Sequence, residues 1–543
     1  MRKYIIGIIA LLSAGAITAQ AQQVWDNGAG DGQWNTTSAN WDAGSVWTDT
    51  GNAIFGAGET IALTEAINAG TVAITHAGIG LTDYTFSGSA LNVSSGITVD
   101  GGGNVGGDWV IFKNAISGAG SLTSDLVGRL ELEETSTYTG GTIINAGDVQ
   151  VEADNALGTG LVTVNSGRLR SDNGSFTIVN DITFTTAGER IELRDSNETL
   201  TLTGDVNVNV DGVKLDASSD TAALAFGGAF GGSASSVVFD RGIKRFLSTA
   251  TVDSTMEIQF GNGNDPASIE ISNGRNLANN LVVNGGRASD PTTLGLINGD
   301  SIGTFSGDIR SNDSDDGGFD LRARVGETVT FSGVLSDDGN GAGIDKTGVG
   351  TVILSGDNTQ DGRIIVEAGL LVIDGDSSAA TGDLTVSIGA LLGGSGIIGG
   401  AATVNGMLNP GNSPGTLTFN EALDLAADSL TTFEIVDLAN FDVLANDGED
   451  TITFADSADI VFDTTGYTAV LDDSFVVLEN WASYGGTVAN LDITGTDLGG
   501  GLSFDTSTLL TDGLVTVIPE PATLGLVATF GAGILFIRRR LMM

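Results

Sequence analysis

The sequence predicts an all-β protein. Its core is a right-handed parallel β-helix, preceded by a secretory signal peptide and followed by a short hydrophobic helix. Three observations carry this reading. Short runs that alternate apolar and polar residues recur between Gly, Asn or Asp, as at 161–164, 191–193 and 352–354, which is strand-and-turn patterning at close spacing. The chain repeats itself over a long interval without gaps. Its 543 residues include 81 Gly and 6 Pro. Glycine accepts the positive φ that corners between stacked strands require, and proline cannot donate to a strand ladder. Pro266 and Pro291 lie inside the array, Pro410 and Pro414 share one turn motif, and the rest lie in the tail.

The internal repeat is direct. Segment 118–169 aligns with 340–391 at a constant shift of 222 residues. Gly128 falls on Gly350, Leu132 on Leu354, Gly140 on Gly362, Gly147 on Gly369, Val164 on Val386 and Leu169 on Leu391. Glycines that keep register with apolar positions are the mark of a solenoid. A shorter motif places a Phe two residues before a Gly or Asn, at Phe86, Phe112, Phe226, Phe305 and Phe331; it predicts one inward ladder. With about 20–25 residues per coil, 60–440 would form some fifteen to eighteen coils.

Composition excludes several functions. There is no Cys, so there is no disulfide framework, thiolate zinc site or cysteine nucleophile. A single His rules out a multi-histidine metal site and speaks against a Ser-His-Asp triad. Acidic residues number 68 against 22 basic ones, a formal charge of −46, which repels phosphate and argues against nucleic acid. Five of the basic residues and Glu520 lie in the two ends, so 22–518 keeps 17 bases and 67 acids, net −50.

The ends read as addresses. Residues 1–21 carry Arg2 and Lys3, an apolar stretch at 5–17, and Ala19 and Ala21 in small-x-small spacing, so cleavage is expected between Ala21 and Gln22. At the other end Pro519-Glu520-Pro521 precedes sixteen uncharged residues, 522–537, and then Arg538, Arg539 and Arg540. Sixteen helical residues span about 24 Å, short of a bilayer core of about 30 Å, so a transient span of the inner membrane is expected. The arginines place the tail inside and the body outside. This 519–543 segment resembles the PEP-CTERM sorting signal of Gram-negative bacteria. The resemblance implies recognition and processing by an exosortase, delivery to the cell surface, and association with an exopolysaccharide or biofilm matrix.

The array has its own resemblance. Segments 118–151 and 340–373 are similar to the autotransporter-associated β-strand repeat, or passenger-associated transport repeat. The carriers are Gly128 to Leu132, Tyr138 to Thr142 and Asn145-Ala146-Gly147 in one copy. In the other they are Lys346-Thr347-Gly348, Leu354-Ser355-Gly356 and Glu367-Ala368-Gly369, continued by Gly393 to Gly396 and Asn409 to Gly415. Copy one has Glu133-Glu134 where the usual turn is Ser-Gly, which marks it as a degenerate coil. Segments 22–59, 60–415 and 416–518 then read as a Trp-rich cap, the repeat array and a closing β segment. The cap contains Trp25, Trp34, Trp41 and Trp47; large aromatics cover the apolar end of a solenoid, with a sugar-stacking platform as the alternative. After 518 no further amphipathic strands of a lipid-embedded barrel follow, so the resemblance extends to the repeats and not to self-export.

Candidate chemistry is sparse. His76 lies in a strand or turn without a nucleophile motif beside it. Adjacent carboxylates occur at Glu133-Glu134, Asp315-Asp316, Asp337-Asp338 and Asp472-Asp473. Glycosidases need two carboxyls about 5–10 Å apart, and lyases need a basic residue near the substrate. Only Arg168/Arg170 and Arg322/Arg324 cluster. Calcium is the cofactor such chemistry would suit, with Asp313, Asp315 and Asp316 as its candidates in an oxygen-rich turn. Solvated acidic turns are the simpler account, and no catalytic residue or metal is assigned. The sequence therefore reads as a non-enzymatic, secreted, surface-sorted structural or adhesive protein, with a polysaccharide lyase or glycoside hydrolase as the alternative.

Overall fold

A computed structural model describes residues 21–520, apart from 57, 77–82, 102–107, 189, 218, 261–266, 285–291, 313–317 and 448. The chain divides into two compact units, 1–168 and 169–543. Each is a parallel β-solenoid, and among the described residues the turns number about 15.

In the first unit two parallel sheets face each other across the core. One runs through Asn52–Phe55, Ile67–His76, Leu91–Gly101, Ser121–Leu126 and Thr142–Ile144. The other runs through Thr60–Leu63, Tyr84–Gly88, Trp109–Lys113, Arg129–Leu132 and Asp148–Val151. Alternation puts every second side chain inside. Register then stacks like on like: Phe86 beside Phe112, Phe112 beside Leu132, Leu132 beside Val151. The rings of Phe86 and Phe112 lie 4.8 Å apart and nearly parallel, at 12°. At the N-terminal end Trp34, Trp41 and Trp47 pack within 4.7–5.3 Å of one another, and Trp34 and Trp41 reach Phe55 at 5.3 and 5.5 Å. All four tryptophans are buried, so none presents the open ring face that a sugar platform needs.

The second unit has longer stacks. One sheet begins with Arg275–Leu277, Ile302–Phe305, Thr328–Phe331, Thr351–Leu354 and Leu370–Ile373. It continues through Leu391–Gly394, Met407–Pro410, Leu430–Asp437 and Asp459–Asp463. A second contains Phe319–Arg322, Ile344–Thr347, Ile364–Val366 and Leu384–Val386. From Asp376–Ser377 onward a further parallel sheet joins. An antiparallel sheet of Asp497–Gly499, Leu502–Asp505, Leu514–Pro519 and Ser474–Val476 finishes the unit. It packs Phe504 at 5.5 Å from Phe462 of the parallel stack.

The 222-residue repeat is structural. Arg129–Leu132, Thr142–Ile144, Asp148–Val151 and Val162–Val164 map residue for residue onto Thr351–Leu354, Ile364–Val366, Leu370–Ile373 and Leu384–Val386. The first copy is not degenerate. Glu134 stands where Gly356 stands in the second, yet the strand before it pairs on both sides, with Glu133 held by Lys113 at 2.6 Å. The phenylalanines do not form one ladder. Phe86 and Phe112 share a sheet of the first unit, Phe305 and Phe331 share a sheet of the second at 5.0 Å, and Phe226 and Phe230 lie on two other sheets. The motif is therefore a local rule of each sheet: an inward apolar residue, then a corner.

The corner explains the glycine. Gly307, Gly333, Gly356, Gly375 and Gly396 follow the inward residues of successive coils. A Cβ on Gly333, Gly356 or Gly375 would sit 2.1 Å from the carbonyl oxygen of the glycine one coil before, and one on Gly396 would sit at 2.3 Å. No side chain fits between coils held at hydrogen-bonding separation, about 4.8 Å. Gly356→Ala should lower stability by about 1–3 kcal/mol through forced overpacking. Gly56→Ala, where a Cβ meets nothing within 4 Å, should leave it within about 0.5 kcal/mol. Urea unfolding followed by circular dichroism measures both.

Candidate functional site

Several expected site residues fall outside the described residues: Ala19, Pro521, Arg538, Arg539 and Arg540, and the calcium candidates Asp313, Asp315 and Asp316. Gln22 opens the strand Gln22–Val24, which pairs with Asn52–Phe55, and the Ala21 carbonyl accepts the Asn52 N–H at 2.9 Å. Pro519 ends the strand Leu514–Pro519 opposite Leu502, and the Glu520 N–H donates to the Gly501 carbonyl at 2.9 Å. Among the described residues no group of three His, Asp or Glu could hold a metal ion, and no helix is long and apolar enough to cross a membrane.

The adjacent carboxylates point apart or serve the backbone. Asp337 is buried and accepts the N–H groups of Gly339, Asp361 and Gly362 at 3.0–3.1 Å. Asp338 turns outward to Arg310 at 2.9 Å. Asp473 accepts the Tyr467 hydroxyl at 2.7 Å. The basic pairs are equally committed. Arg168 grips Asp148 with two nitrogens, at 2.5 and 2.9 Å, and Arg170 reaches Asp172 at 3.4 Å. Arg322 and Arg324 both converge at 2.7 Å on Glu270, which Arg245 holds at 2.8 Å from another side. His76 is buried at the end of a strand, 3.9 Å from Asp108.

Two buried lysines act as carbonyl clamps. The Lys346 ammonium donates to the carbonyls of Gly348, Gly350 and Ala368 at 2.5–2.9 Å, tying two coils together at the Lys-Thr-Gly turn, and burial pushes it down to about 8. Lys244 likewise donates to the carbonyls of Asp240 and Arg241, and burial pushes it down to about 7. Their partners are backbone oxygens, so neither amine is presented to a substrate.

One cleft stands out, over the Asn409 to Gly415 motif of the second unit. It encloses about 460 Å³. Leu370, Val372 and Leu391 form its floor from the outward positions of neighbouring strands, and Glu434 and Asp463, paired in register, stand on one wall. The loop across it is tightly specified. Gly411 has φ of 79°, and a Cβ there would meet the Gly415 nitrogen. The Asn412 side chain donates to Asp374 at 2.8 Å, and the Ser413 hydroxyl to Glu434 at 2.5 Å. Asp442 is the pin. Its two oxygens accept the N–H groups of Gly415 at 2.9 Å and Glu434 at 2.8 Å, and it is buried. Burial pushes its carboxyl up to about 6; the two backbone donors pull against that, and the Glu434 charge adds to it. No cation is among the lining residues, so the cleft has nothing to neutralise a uronate. With both Asp442 oxygens held by backbone, its carboxylates shape a loop and edge a recess. The acids come from adjacent elements within 434–463, downstream of the loop they support, and the repeat signal on Asn409 to Gly415 was the only pointer to them.

The family match falls on the two repeat copies. Residues 127–151 and 344–373 match the family model of the passenger-associated-transport-repeat. Over 87 residues, 16% of this chain, the sequence is 45% identical to the adhesin BmaC autotransporter of Brucella suis biovar 1 (strain 1330). The match spans 2% of that protein's length.

The raised carboxyl of Asp442 sets a pH dependence. Its folded value lies above that of the unfolded chain, so the native state holds the extra proton between about pH 4 and 6. Stability therefore falls as pH rises through that window, by roughly 2–3 kcal/mol for this one group. Asp442→Asn should flatten that fall, as read from unfolding midpoints at pH 4, 5, 6 and 7. An equal slope in both proteins would remove Asp442 as its source.

Proposed function

We propose that this chain is a secreted, surface-displayed β-helical protein of a Gram-negative envelope, structural or adhesive in role. It is sorted to the cell surface, processed by an exosortase near Pro519-Glu520-Pro521, and lodged in or on an exopolysaccharide matrix. The observation that carries the reading is the coincidence of the passenger-repeat matches with the stacked coils. Similarity to an autotransporter adhesin supports the adhesive role and the cell-surface location. The interior is filled by Phe, Leu, Ile and Val ladders, so whatever this protein touches meets its outer faces. The tryptophan cluster supports a capping role for 22–59, because its rings pack on one another and on Phe55 of the strand Asn52–Phe55. Calcium has no part in the proposal.

A glycan-cleaving enzyme is the second reading, favoured by the three carboxylates around the cleft. The committed arginines and lysines and the backbone-bound Asp442 weigh against it. Two measurements test the proposal. Replacing Pro519, Glu520 and Pro521 by alanine should abolish C-terminal processing and surface delivery, followed by immunoblot and whole-cell protease shaving. Unchanged processing would refute the sorting assignment. Incubation of the purified chain with uronate and neutral polysaccharides should release no reducing ends or unsaturated products; either product would establish the enzyme.

A further inference from the structure

The cleft over the Asn409 to Gly415 loop is polarised along its length. Its apolar floor lies at one end. Leu370 and Leu391 are register partners there, and Val372 is followed across the sheet by Gly393 and Asn409. Leu370, Val372 and Leu391 are half-buried and turned outward. The acids lie at the other end, where Glu434 and Asp463 are partners on two further strands of the same sheet. Thr465 donates its hydroxyl and its N–H to one oxygen of Asp463, at 2.6 and 3.0 Å, which holds that carboxyl below its usual range. The strand of Val372 and the strand of Glu434 are three spacings apart in the sheet, about 14 Å.

The charge of the lining comes from Glu434, Asp442 and Asp463. A polyanion is repelled there. A metal ion would find Asp442 already spent, since both its oxygens are held by backbone N–H groups. A polyamine carries a charge every few atoms and would leave one over the aliphatic floor, where desolvation opposes it. A sugar finds no aromatic ring in the lining on which to stack. What matches both ends is a chain with an aliphatic group at one point and a single cation further along. The cleft's volume of about 460 Å³ lies within the range of small-ligand sites, about 300–1,000 Å³. We propose that this cleft binds a basic peptide segment, with an aliphatic side chain on Leu370, Val372 and Leu391 and a lysine or arginine between Glu434 and Asp463. The inference names what an adhesive protein would grip, and rests on that role only for the setting in which the peptide is met.

The fold sets the spacing within that peptide. An extended chain advances about 3.3 Å per residue, so two residues three positions apart have backbones about 10 Å apart. The methylenes of a lysine or arginine cover the remaining distance along the floor while the charged head reaches the acids. Asn409 and Thr432 line the path between the two ends, with amide and hydroxyl groups for the peptide backbone. The loop wall is set before any ligand arrives: Asn412 is held on Asp374 and Ser413 on Glu434, so binding has little to order. The head group then forms charge-assisted hydrogen bonds to Glu434 and Asp463, the strong kind.

The test uses the purified full chain and a capped, dye-labelled hexapeptide with leucine at its second position, lysine at its fifth and serine elsewhere. Fluorescence anisotropy should show saturable binding, about fivefold weaker in 500 mM salt than in 20 mM. Exchanging the peptide's lysine for norleucine, or its leucine for serine, should weaken binding about tenfold in each case. On the protein, Glu434→Gln and Asp463→Asn should each weaken it about tenfold, and Leu391→Ser about fivefold, with circular dichroism spectra unchanged. Asp463 is exposed, so its variant keeps the test valid if Glu434→Gln disturbs the loop. Asp424→Asn removes an exposed acid on another sheet and should leave binding as it is. Spermidine and glucosamine oligomers should compete about tenfold less well than unlabelled peptide. Absence of saturable binding would overturn the proposal, as would affinity retained in both Asp463→Asn and Leu391→Ser. So would an equal loss in Asp424→Asn, which would mark net charge alone. Competition by spermidine or the oligomers as strong as the peptide's own would mark a bare cation site or a glycan site instead. None of these outcomes bears on processing at Pro519-Glu520-Pro521, which the immunoblot reads separately.

Discussion

The backbone contact between one coil and the next is the constraint to which everything else here is subordinate. Parallel strands lie about 4.8 Å apart, and at the corners there is no pleat to lift side chains out of the way. Gly356 illustrates the consequence: the carbonyl oxygen of Gly333 occupies the space a Cβ would need. Within the strands the same spacing puts Phe305 on Phe331 and Phe331 on Leu354, so the interior is a set of columns instead of an irregular core. Between the fixed points the chain is free to vary. Ile302 is followed by its partner Thr328 after 26 residues, and Leu391 by Met407 after only 16.

The acidity follows partly from those corners. A turn that leaves one strand exposes N–H groups that no strand partner takes. Short carboxylates and amides supply the acceptors, often from the coil before. Asp181 accepts the Asp205 N–H at 2.9 Å, and Asp205 accepts the Ala229 N–H at 2.8 Å. Asn280 accepts from Asp308 at 3.1 Å, and Asp308 from Val334 at 2.9 Å. Side-chain amides form a similar column at Asp125, Asn145 and Asn165, at 2.7 and 2.8 Å. Many of these acids are thus exposed at their tips and occupied at one oxygen. Their abundance needs neither a metal nor a catalytic role. The excess negative charge is also a defence, since sheets in this stack have edges and outer faces open to pairing.

Much of this was legible in the residues, and the limits have a physical cause. The 222-residue repeat held in the structure, where four strands of one copy map residue for residue onto four of the other, because glycine corners and inward apolar positions are fixed by local geometry. At the tryptophan-rich start, for which the sequence suggested a cap, four large rings within a short stretch are buried against one another and Phe55. What the sequence did not carry was any arrangement across coils of unequal length. Asp442, Glu434 and Asp463 meet around one cleft, yet their spacing does not show it: Glu434 and Asp463 come from two strands paired in register, and Asp442 from the connection between two others. The phenylalanine motif misled in the same way. It reports an inward residue shortly before a corner, and strands of three different sheets carry it, so it is several ladders and not one. Glu134 misled in the opposite sense, since a corner on the outer side of a coil can accept a side chain without losing the strand before it.

The division of labour between the two sides of each strand then explains how such a fold can serve different ends. Inward positions answer to the column above and below, and a change there propagates: Phe331 cannot shrink without leaving Phe305 and Leu354 facing a void. Outward positions answer only to solvent and to whatever binds. At equivalent places in the two repeat copies, Asp148 and Gln150 stand where Leu370 and Val372 stand 222 residues later. In the first copy the outward face is a salt-bridged network, with Arg168 on Asp148 and Gln150 on Glu131 at 3.0 Å. In the second it is the apolar floor of a cleft. The inward residues Val149 and Val151 meanwhile become Leu371 and Ile373 and remain buried. One backbone solution thus carries two surfaces of opposite character, and surface chemistry can change while the stacking that supports it stays in place.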